Sequence, residues 1–304
     1  MEQVTCNLCG SDDTFVRFPS TLPVGPSPSE WTAYRCTHSG YGVHPTIVQC
    51  RQCGLVYTNP RQNGSEILET YEAVEDPLYV EEREGRVLTF ERHLRPLERL
   101  TGSPNGRKLL DVGAYTGVFV EIAARHGWDA WGVEPSRWAV SEAQSQGLNV
   151  IQGTVGTADL PKGAFDVVTM WDVIEHLTDP LSALQGAHDL LKPGGLLVVH
   201  TIDIGSIFAR LMRSRWPWLM EMHIYYFDRR TLRLMMEKAG FTVTKIRAQG
   251  RTLRLGYLMS RVTALFPPIG RPAEGLVTRL GLRGMTVGIN LGDLCTAYAY
   301  KEKA

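Results

Sequence analysis

The sequence lacks an excess of charge of either sign: Lys plus Arg and Asp plus Glu number 32 each in 304 residues. Balanced charge argues against attraction of the whole molecule to nucleic acid and leaves only a local basic patch for such contact. No run of about 18 apolar residues occurs, so no transmembrane helix is expected. The opening Met1-Glu2-Gln3-Val4-Thr5-Cys6 has neither the basic nor the apolar region of a secretory leader, which makes the cytoplasm the expected location. Internal repeats and long low-complexity stretches are absent as well. Six cysteines in such a chain suggest metal binding or free thiols more than disulfides.

What is present begins with an ordinary globular composition, 43% hydrophobic and 21% charged, which is enough for a full core. The first sixty residues are rich in Cys, Pro, Gly and turn formers, and Pro19–Pro28 reads as loop. Over residues 63–100 apolar side chains recur at helical spacing, which predicts two helices broken near Asp76-Pro77. From Lys108 onward, short apolar strands alternate with helices. Strands are expected at Lys108–Val112, Ala130–Val133, Asn149–Gln152, Phe165–Trp171 and Gly195–Thr201. Helices are expected at Gly117–His126, Arg137–Gln146, Pro180–Leu191 and Arg229–Ala239, the last closed by Gly240. This alternation indicates an α/β fold with a parallel sheet covered on both faces. Phe241–Ala248 and Thr296–Lys301 supply a final strand pair, separated by an insertion over about 250–288.

The segment Leu110-Asp111-Val112-Gly113-Ala114-Tyr115-Thr116-Gly117 is the most informative. A buried strand ends in an acid, and glycines then turn the chain tightly into a helix at the edge where open parallel sheets bind ligands. A dinucleotide fingerprint would need glycine where Tyr115 and Val118 stand, so a dehydrogenase is disfavoured. The next strand ends in Glu134, a carboxylate placed to accept hydrogen bonds from two ribose hydroxyls.

With Gly132-Val133-Glu134-Pro135-Ser136, Phe165 to His176, Leu190 to Gly195 and Lys238-Ala239-Gly240-Phe241, the chain resembles the class I S-adenosylmethionine-dependent methyltransferases from about residue 107 to 248. The resemblance implies a Rossmann-like seven-stranded sheet whose last strand is antiparallel. It also implies a cofactor site that includes Asp111, Gly113, Ala114, Tyr115 and Gly117 at the amino-acid part, Glu134 at the ribose, Thr154 and Val155 near the adenine, and Pro135, Trp171 and Asp172.

Two CxxC pairs, Cys6/Cys9 and Cys50/Cys53, can place four thiolates on one tetrahedral zinc ion, a structural site with no open position. The 40 intervening residues include Cys36 and His38, either of which could replace a ligand. The run Cys50 to Pro60 is similar to the leader of a zinc-bearing subgroup that includes sugar C-methyltransferases and enzymes of natural products and cell-surface glycans. The expected organisation is a zinc-binding module over 1–62, a helical lid or linker over 63–104 and an S-adenosylmethionine-binding domain over 105–304.

Methyl transfer needs alignment of the acceptor with the methyl group, and a hydroxyl acceptor also needs its proton removed. His176 and His223 are the candidate bases. Related sugar C-methyltransferases carry Glu-His where this chain has Met222-His223, a departure that weakens C-methylation. Asp172, Glu175 and His176 resemble the metal-binding cluster of some quinone-pathway O-methyltransferases. Tyr71 and Tyr79 are candidates for a lid. Ile207–Leu219 and Arg251–Met285 mix arginines with apolar side chains, a pattern suited to an anionic membrane surface, to a lipid-linked substrate, or to a cap or dimer contact. The expected function is O-methylation of a small molecule, a glycan, glycolipid or natural-product intermediate, with no nucleic-acid partner. Two alternatives stand beside it: a sugar C-methyltransferase, and a non-catalytic zinc-ribbon recruiting protein on the same fold.

Overall fold

The computed structural model describes residues 1–23, 34–37 and 40–303. The expected Pro19–Pro28 loop lies partly outside these residues, and His38 wholly so. The central sheet has seven strands: β4 (Lys108–Val112), β5 (Asp129–Glu134), β6 (Val150–Gln152), β7 (Phe165–Trp171), β8 (Leu191–Ile202), β10 (Phe241–Ala248) and β13 (Leu294–Lys301). Their order is β6-β5-β4-β7-β8-β13-β10. The first five run parallel, and β13 pairs antiparallel with both β8 and β10. The strands are near-continuous apolar runs because helices cover both faces, and Leu109, Leu110, Val167 and Val168 are fully buried.

The connections run outward in one direction from β4 through β5 to β6, then return past β4 to β7. The carboxyl ends of β4 and β7 therefore flank a topological switch point, where a crevice opens. Helices α4 (Val118–Arg125), α5 (Arg137–Ser145) and α6 (Pro180–Leu190) link these strands. The strand expected at Gly195–Thr201 is longer, because β8 begins at Leu191 directly after α6, with a register shift opposite Phe165 and Val167.

Residues 63–101 form three helices rather than two: α1 (Gly64–Glu72), α2 (Pro77–Glu81) and α3 (Arg83–Thr101). The break at Asp76 is physical. Its side chain caps α2 by accepting from the Tyr79 amide, and Pro77 occupies the first turn. The same carboxylate accepts from the amide and hydroxyl of Thr37, fixing the 34–37 segment over the crevice.

A second sheet joins distant parts of the chain. It has the order β1 (Thr14–Phe18), β2 (Ile47–Cys50), β3 (Val56–Thr58) and β9 (Tyr225–Tyr226). Nothing in local sequence pattern announces β9, which is two residues long and pairs with a strand far away in the chain. Helix α7 (Ile207–Met212) precedes it and α8 (Arg229–Lys238) follows. The expected insertion folds as a β-hairpin, β11 (Arg251–Arg254) with β12 (Thr286–Ile289), enclosing helices α9 (Leu255–Leu265) and α10 (Pro267–Arg279). Among the described residues, no helix is long and apolar enough to cross a membrane.

Candidate active site

A cavity of about 510 Å³ opens at the carboxyl ends of β4, β5 and β7. Its size falls in the range of small-molecule sites. Gly113, Tyr115, Glu134, Pro135, Thr154, Val155, Trp171 and Asp172 all line it. Three other expected cofactor residues sit behind the wall. Asp111 is buried and accepts from the Thr169 hydroxyl at 2.7 Å. Ala114 is buried against Gly132, and Gly117 opens α4 at φ 75° with its Cα face against Leu148 and Ala143. Gly113 has φ 70°, and a Cβ there would come within 2.5 Å of Val173. Tyr115 and Asp172 also have positive φ, 48° and 56°. Left-handed backbone at non-glycine residues costs energy and clusters at ligand sites.

Glu134 is oriented by two amides. Its oxygens accept from Tyr115 N at 3.0 Å and from Ser136 N at 2.8 Å. Burial nevertheless raises its carboxyl to about 7. A carboxylate has about four acceptor positions, so two remain for ribose hydroxyls. Burial raises Asp111 to about 8, partly opposed by the Thr169 bond.

Arg86 was not singled out by the sequence. It stands on α3, its guanidinium 3.5 Å from the Tyr79 ring centroid, and Tyr79 in turn meets Tyr115 edge-on at 4.4 Å. Its Nε has no hydrogen-bond partner, and Arg86 lines the cavity beside the Gly113 turn. A half-buried cation in this cavity is suited to a carboxylate. The signal available in the sequence was only an arginine on the helix before the glycine turn, which is common. Arg251 was likewise missed as a site residue. The β11 hairpin brings it into the cavity, where it donates to Asp172 at 2.9 Å and packs over Trp218.

That ion pair corrects the expected Asp172–Glu175–His176 cluster. Asp172 has left-handed backbone and the following residues 174–176 form a 3₁₀ turn, so the three do not share a helical face. Burial disfavours its charge, yet Arg251 and His200 hold its carboxyl below the ordinary value. Glu175 and His176 instead meet His223, with one ligand atom of each within 4.8 Å of the others. A divalent ion could sit among them.

His176 and His223 form a pair with ring centroids 4.8 Å apart. His176 Nδ1 lies 2.9 Å from the Met222 carbonyl and 3.0 Å from the Tyr71 hydroxyl. His223 Nδ1 lies 2.7 Å from the Trp218 carbonyl. Carbonyls only accept, so each Nδ1 carries the proton and each Nε2 keeps its lone pair. Burial lowers both imidazoles, His223 to about 3 with His176 contributing. Both are neutral at pH 7. Tyr34, Tyr41, Tyr71, Trp218, Met220 and Met222 complete this half of the cavity. Tyr71 thus faces His176, and Tyr79 faces Tyr115 on the other side.

The four cysteines of the two CxxC pairs converge. Their sulfurs lie within 4.8 Å of one another, with Cys6 to Cys53 at 3.4 Å and Cys9 to Cys50 at 3.5 Å. Tetrahedral zinc with bonds near 2.3 Å needs sulfurs roughly 3.8 Å apart, so the set fits. Burial pushes the Cys6 thiol up although backbone amides of Leu8 and Cys9 point at its sulfur, whereas at Cys50 the amides of Gln52 and Cys53 outweigh burial and lower the thiol to about 7. Cys36 is not part of this group and lines the central cavity.

A family model for a methyltransferase domain matches residues 79–246. The ubiquinone biosynthesis O-methyltransferase of Pectobacterium atrosepticum is 40% identical over 122 residues, covering 38% of this chain and 47% of that protein. The enzyme of the same name from Ruegeria pomeroyi is 39% identical over 104 residues, 32% of this chain and 42% of that one. The chain spans about half the length of the curated relatives it matches. Among solved structures, a candidate methyltransferase from Bacillus halodurans C-125 superimposes with a TM-score of 0.50 at 16% identity, over 69% of this chain and 99% of that one, a likeness of fold.

Proposed function

The chain belongs to the methyltransferase domain family, in its class I S-adenosylmethionine-dependent form, and from that premise we propose that it methylates a hydroxyl oxygen on a flat, largely apolar small molecule. The observation that carries the reading is a single cavity with two chemically distinct halves. One half presents Gly113, Tyr115, Glu134 and Arg86; the other presents the paired imidazoles of His176 and His223 among aromatic and methionine side chains.

In this reading Glu134 binds the ribose hydroxyls, Arg86 faces the methionine carboxylate, and Thr154 and Val155 border the adenine. The cofactor supplies an electrophilic methyl group on a sulfonium. The protein's task is to align the acceptor oxygen and to take its proton. His176 and His223 orient the acceptor hydroxyl through a free Nε2. The proton becomes strongly acidic only as the new oxygen–carbon bond forms, so a weakly basic imidazole suffices. A carbon acid would need a stronger base than two imidazoles that burial has made less basic. That argues for oxygen over carbon, as does the name O-methyltransferase carried by the curated relatives.

The acceptor wall favours a phenolic or polyketide-like natural-product intermediate over a glycan. Sugar sites need many free side-chain donors and acceptors, whereas here Asp172 and Arg251 are paired with each other, Glu175 accepts from Thr201, and Trp218, Met220 and Met222 stand beside the histidines. The cysteine set holds structural zinc in this reading. The exposed Ile269, Leu276 and Leu280 lie on α10 and just past its end, among Arg271, Arg279 and Arg283, and offer a surface for peripheral contact with anionic lipid; Ile207 and Leu211 on α7, near Arg210 and Arg213, are exposed as well. An apolar acceptor could reach the enzyme from there.

The test is calorimetric binding of S-adenosylhomocysteine, then a screen of phenols, enols and glycosides with labelled S-adenosylmethionine. Micromolar cofactor binding with label appearing as a methyl ether supports the proposal. Folded protein that binds no cofactor would return the recruiting-module reading to first place.

A further inference from the structure

The second CxxC pair closes the hairpin that leads into β3, and His223 lies just before β9, the strand that pairs with β3. The second CxxC pair is closed as a tight hairpin, with Cys50 N donating to Leu55 O at 2.9 Å. Strand β3 leaves this hairpin directly and pairs antiparallel with β9, placing Val56 opposite Tyr226 and Tyr57 opposite Tyr225. The pairing continues past β9 to the candidate base itself. Thr58 N donates to Ile224 O at 2.8 Å, and the Thr58 hydroxyl donates to His223 O at 3.3 Å. On its other side the same segment is tied to the sheet, since Ile224 N donates to Glu175 O at 2.8 Å. His223 is therefore held between the cysteine module and the turn that carries His176.

Both knuckles also grip the helices that follow the two histidine segments. Asn7, between Cys6 and Cys9, donates to the Asp179 carboxylate at 2.9 Å and accepts from Leu181 N at 3.0 Å at the start of α6. Lys238 at the end of α8 donates to Leu8 O at 2.6 Å, and Arg230 at its start donates to Cys53 O at 2.9 Å. The carbonyls used lie on the CxxC turns themselves, whose shape depends on all four sulfurs being held together. The Asn7 contacts sit on the first of those same turns.

We infer that the metal-loaded cysteine cluster is a positioning device for the methyl-transfer site: it sets the place of His223 opposite His176 through the β3–β9 pairing, independently of the cofactor half of the cavity. The inference rests on the proposed role of the histidines for its catalytic consequence, though not for its structural one. The two halves differ in what holds them. Gly113, Tyr115 and Glu134 are fixed by β4 and β5 and by hydrogen bonds within residues 111–136, and among the described residues none of the cysteine module donates to or accepts from them. Loss of the metal then uncouples acceptor turnover from cofactor binding.

The experiment uses the full chain, zinc-loaded and after chelation, with amide hydrogen exchange resolved by segment. Exchange over residues 222–226 should accelerate by at least a hundredfold on chelation, with little change over 108–112 and 129–134. The dissociation constant for S-adenosylhomocysteine should move less than twofold, and restoring zinc should restore protection. Thr58→Pro, which keeps all four cysteines and removes the donor to Ile224 O, should retain one zinc per chain and S-adenosylhomocysteine affinity while losing protection at 222–226. Unchanged exchange at 222–226 in the stripped protein overturns the inference. So does loss of protection spread evenly through the central strands, or a full chain that binds no metal. Wild type that fails to bind S-adenosylhomocysteine would overturn the enzymatic reading alone, because the exchange readout stands without it.

Discussion

His176 and His223 stand with their rings 4.8 Å apart, each with its Nδ1 proton donated to a backbone carbonyl. Two neutral imidazoles this close serve one proton between them, because protonating either raises the cost of protonating the other. Replacing either histidine by Ala should lower kcat by about 10²–10⁴, the usual worth of a general base. The double variant should be little worse than the poorer single one, since the pair acts as a unit. Cofactor affinity should not change. Steady-state kinetics beside calorimetry separates these readouts, and equal loss of cofactor binding would reassign the pair to structure.

The Glu134 carboxylate is anchored by two amides and faces the cavity. Glu134→Ala should weaken S-adenosylhomocysteine by roughly 1.5–3 kcal/mol, about ten- to a hundredfold. Calorimetry at one pH and ionic strength checks it, with circular dichroism to confirm the fold. An unchanged affinity would remove the ribose contact from this residue.

Arg86 permits a sharper dissection. If it faces the methionine carboxylate, Arg86→Leu should weaken S-adenosylhomocysteine by about ten- to a hundredfold, the range for a charge-assisted hydrogen bond. Methylthioadenosine, which has no carboxylate, should bind the variant as it binds wild type. Glu134→Ala should weaken both ligands. Equal weakening of both by Arg86→Leu would place the arginine's effect on cavity shape through its contact with Tyr79.

The parts of this site that were legible in the sequence are those set by local rules. Buried strands read as apolar runs, and the acid and glycine at the end of β4 follow from the turn and ligand approach required there. The same holds for Glu134 at the end of β5. What was not legible depends on long-range pairing. His223 and Thr58 are 165 positions apart, and the two-residue strand between Ile224 and Phe227 has no pattern of its own. Arg251 enters the cavity only because the hairpin of the insertion folds back over α3. Spacing alone misplaced Asp172, since its left-handed backbone takes it off the assumed helical face and into an ion pair with Arg251, while its charge still reaches Glu175.

The helices of the insertion pack on each other and leave Ile269, Leu276 and Leu280 in solvent beside Arg271, Arg279 and Arg283. Apolar burial together with cationic attraction predicts binding to vesicles containing anionic phospholipid. Sedimentation with such vesicles should be strong at low salt, weaken at 0.5 M salt, and fall further when Ile269 and Leu276 are both changed to Ser. Equal sedimentation with neutral vesicles, or none with either, would remove membrane contact and leave the surface as a cap or a contact between copies.

Glu175 supplies a prediction in which pH decides between two states of the site. It is almost fully buried and accepts from the Thr201 hydroxyl at 2.8 Å. Burial, and then the charge of Asp172, raise its carboxyl from 4.5 to about 8. In the unfolded chain it ionises at the ordinary value. Between those limits the native state keeps a proton that the unfolded state has lost, so rising pH favours unfolding by up to about 1.4 kcal/mol per unit from this group. Below the window both states are protonated and above it both are ionised, so the effect is confined to it. Glu175→Gln mimics the protonated acid and removes the dependence. His93, His200 and His223, lowered by burial to about 3, 4 and 3, act in the opposite direction below pH 6.5, but they are common to both proteins and largely cancel in the difference. The variant should therefore match wild type near pH 5 and exceed it by a few kcal/mol near pH 8 in denaturant unfolding. A difference that stays flat would mean Glu175 is ionised in the fold throughout. The Thr201 hydroxyl, a backbone amide and Arg251 would then outweigh burial at this carboxylate, or an ion would sit in the group that it forms with His176 and His223, and metal analysis of the folded protein separates the two.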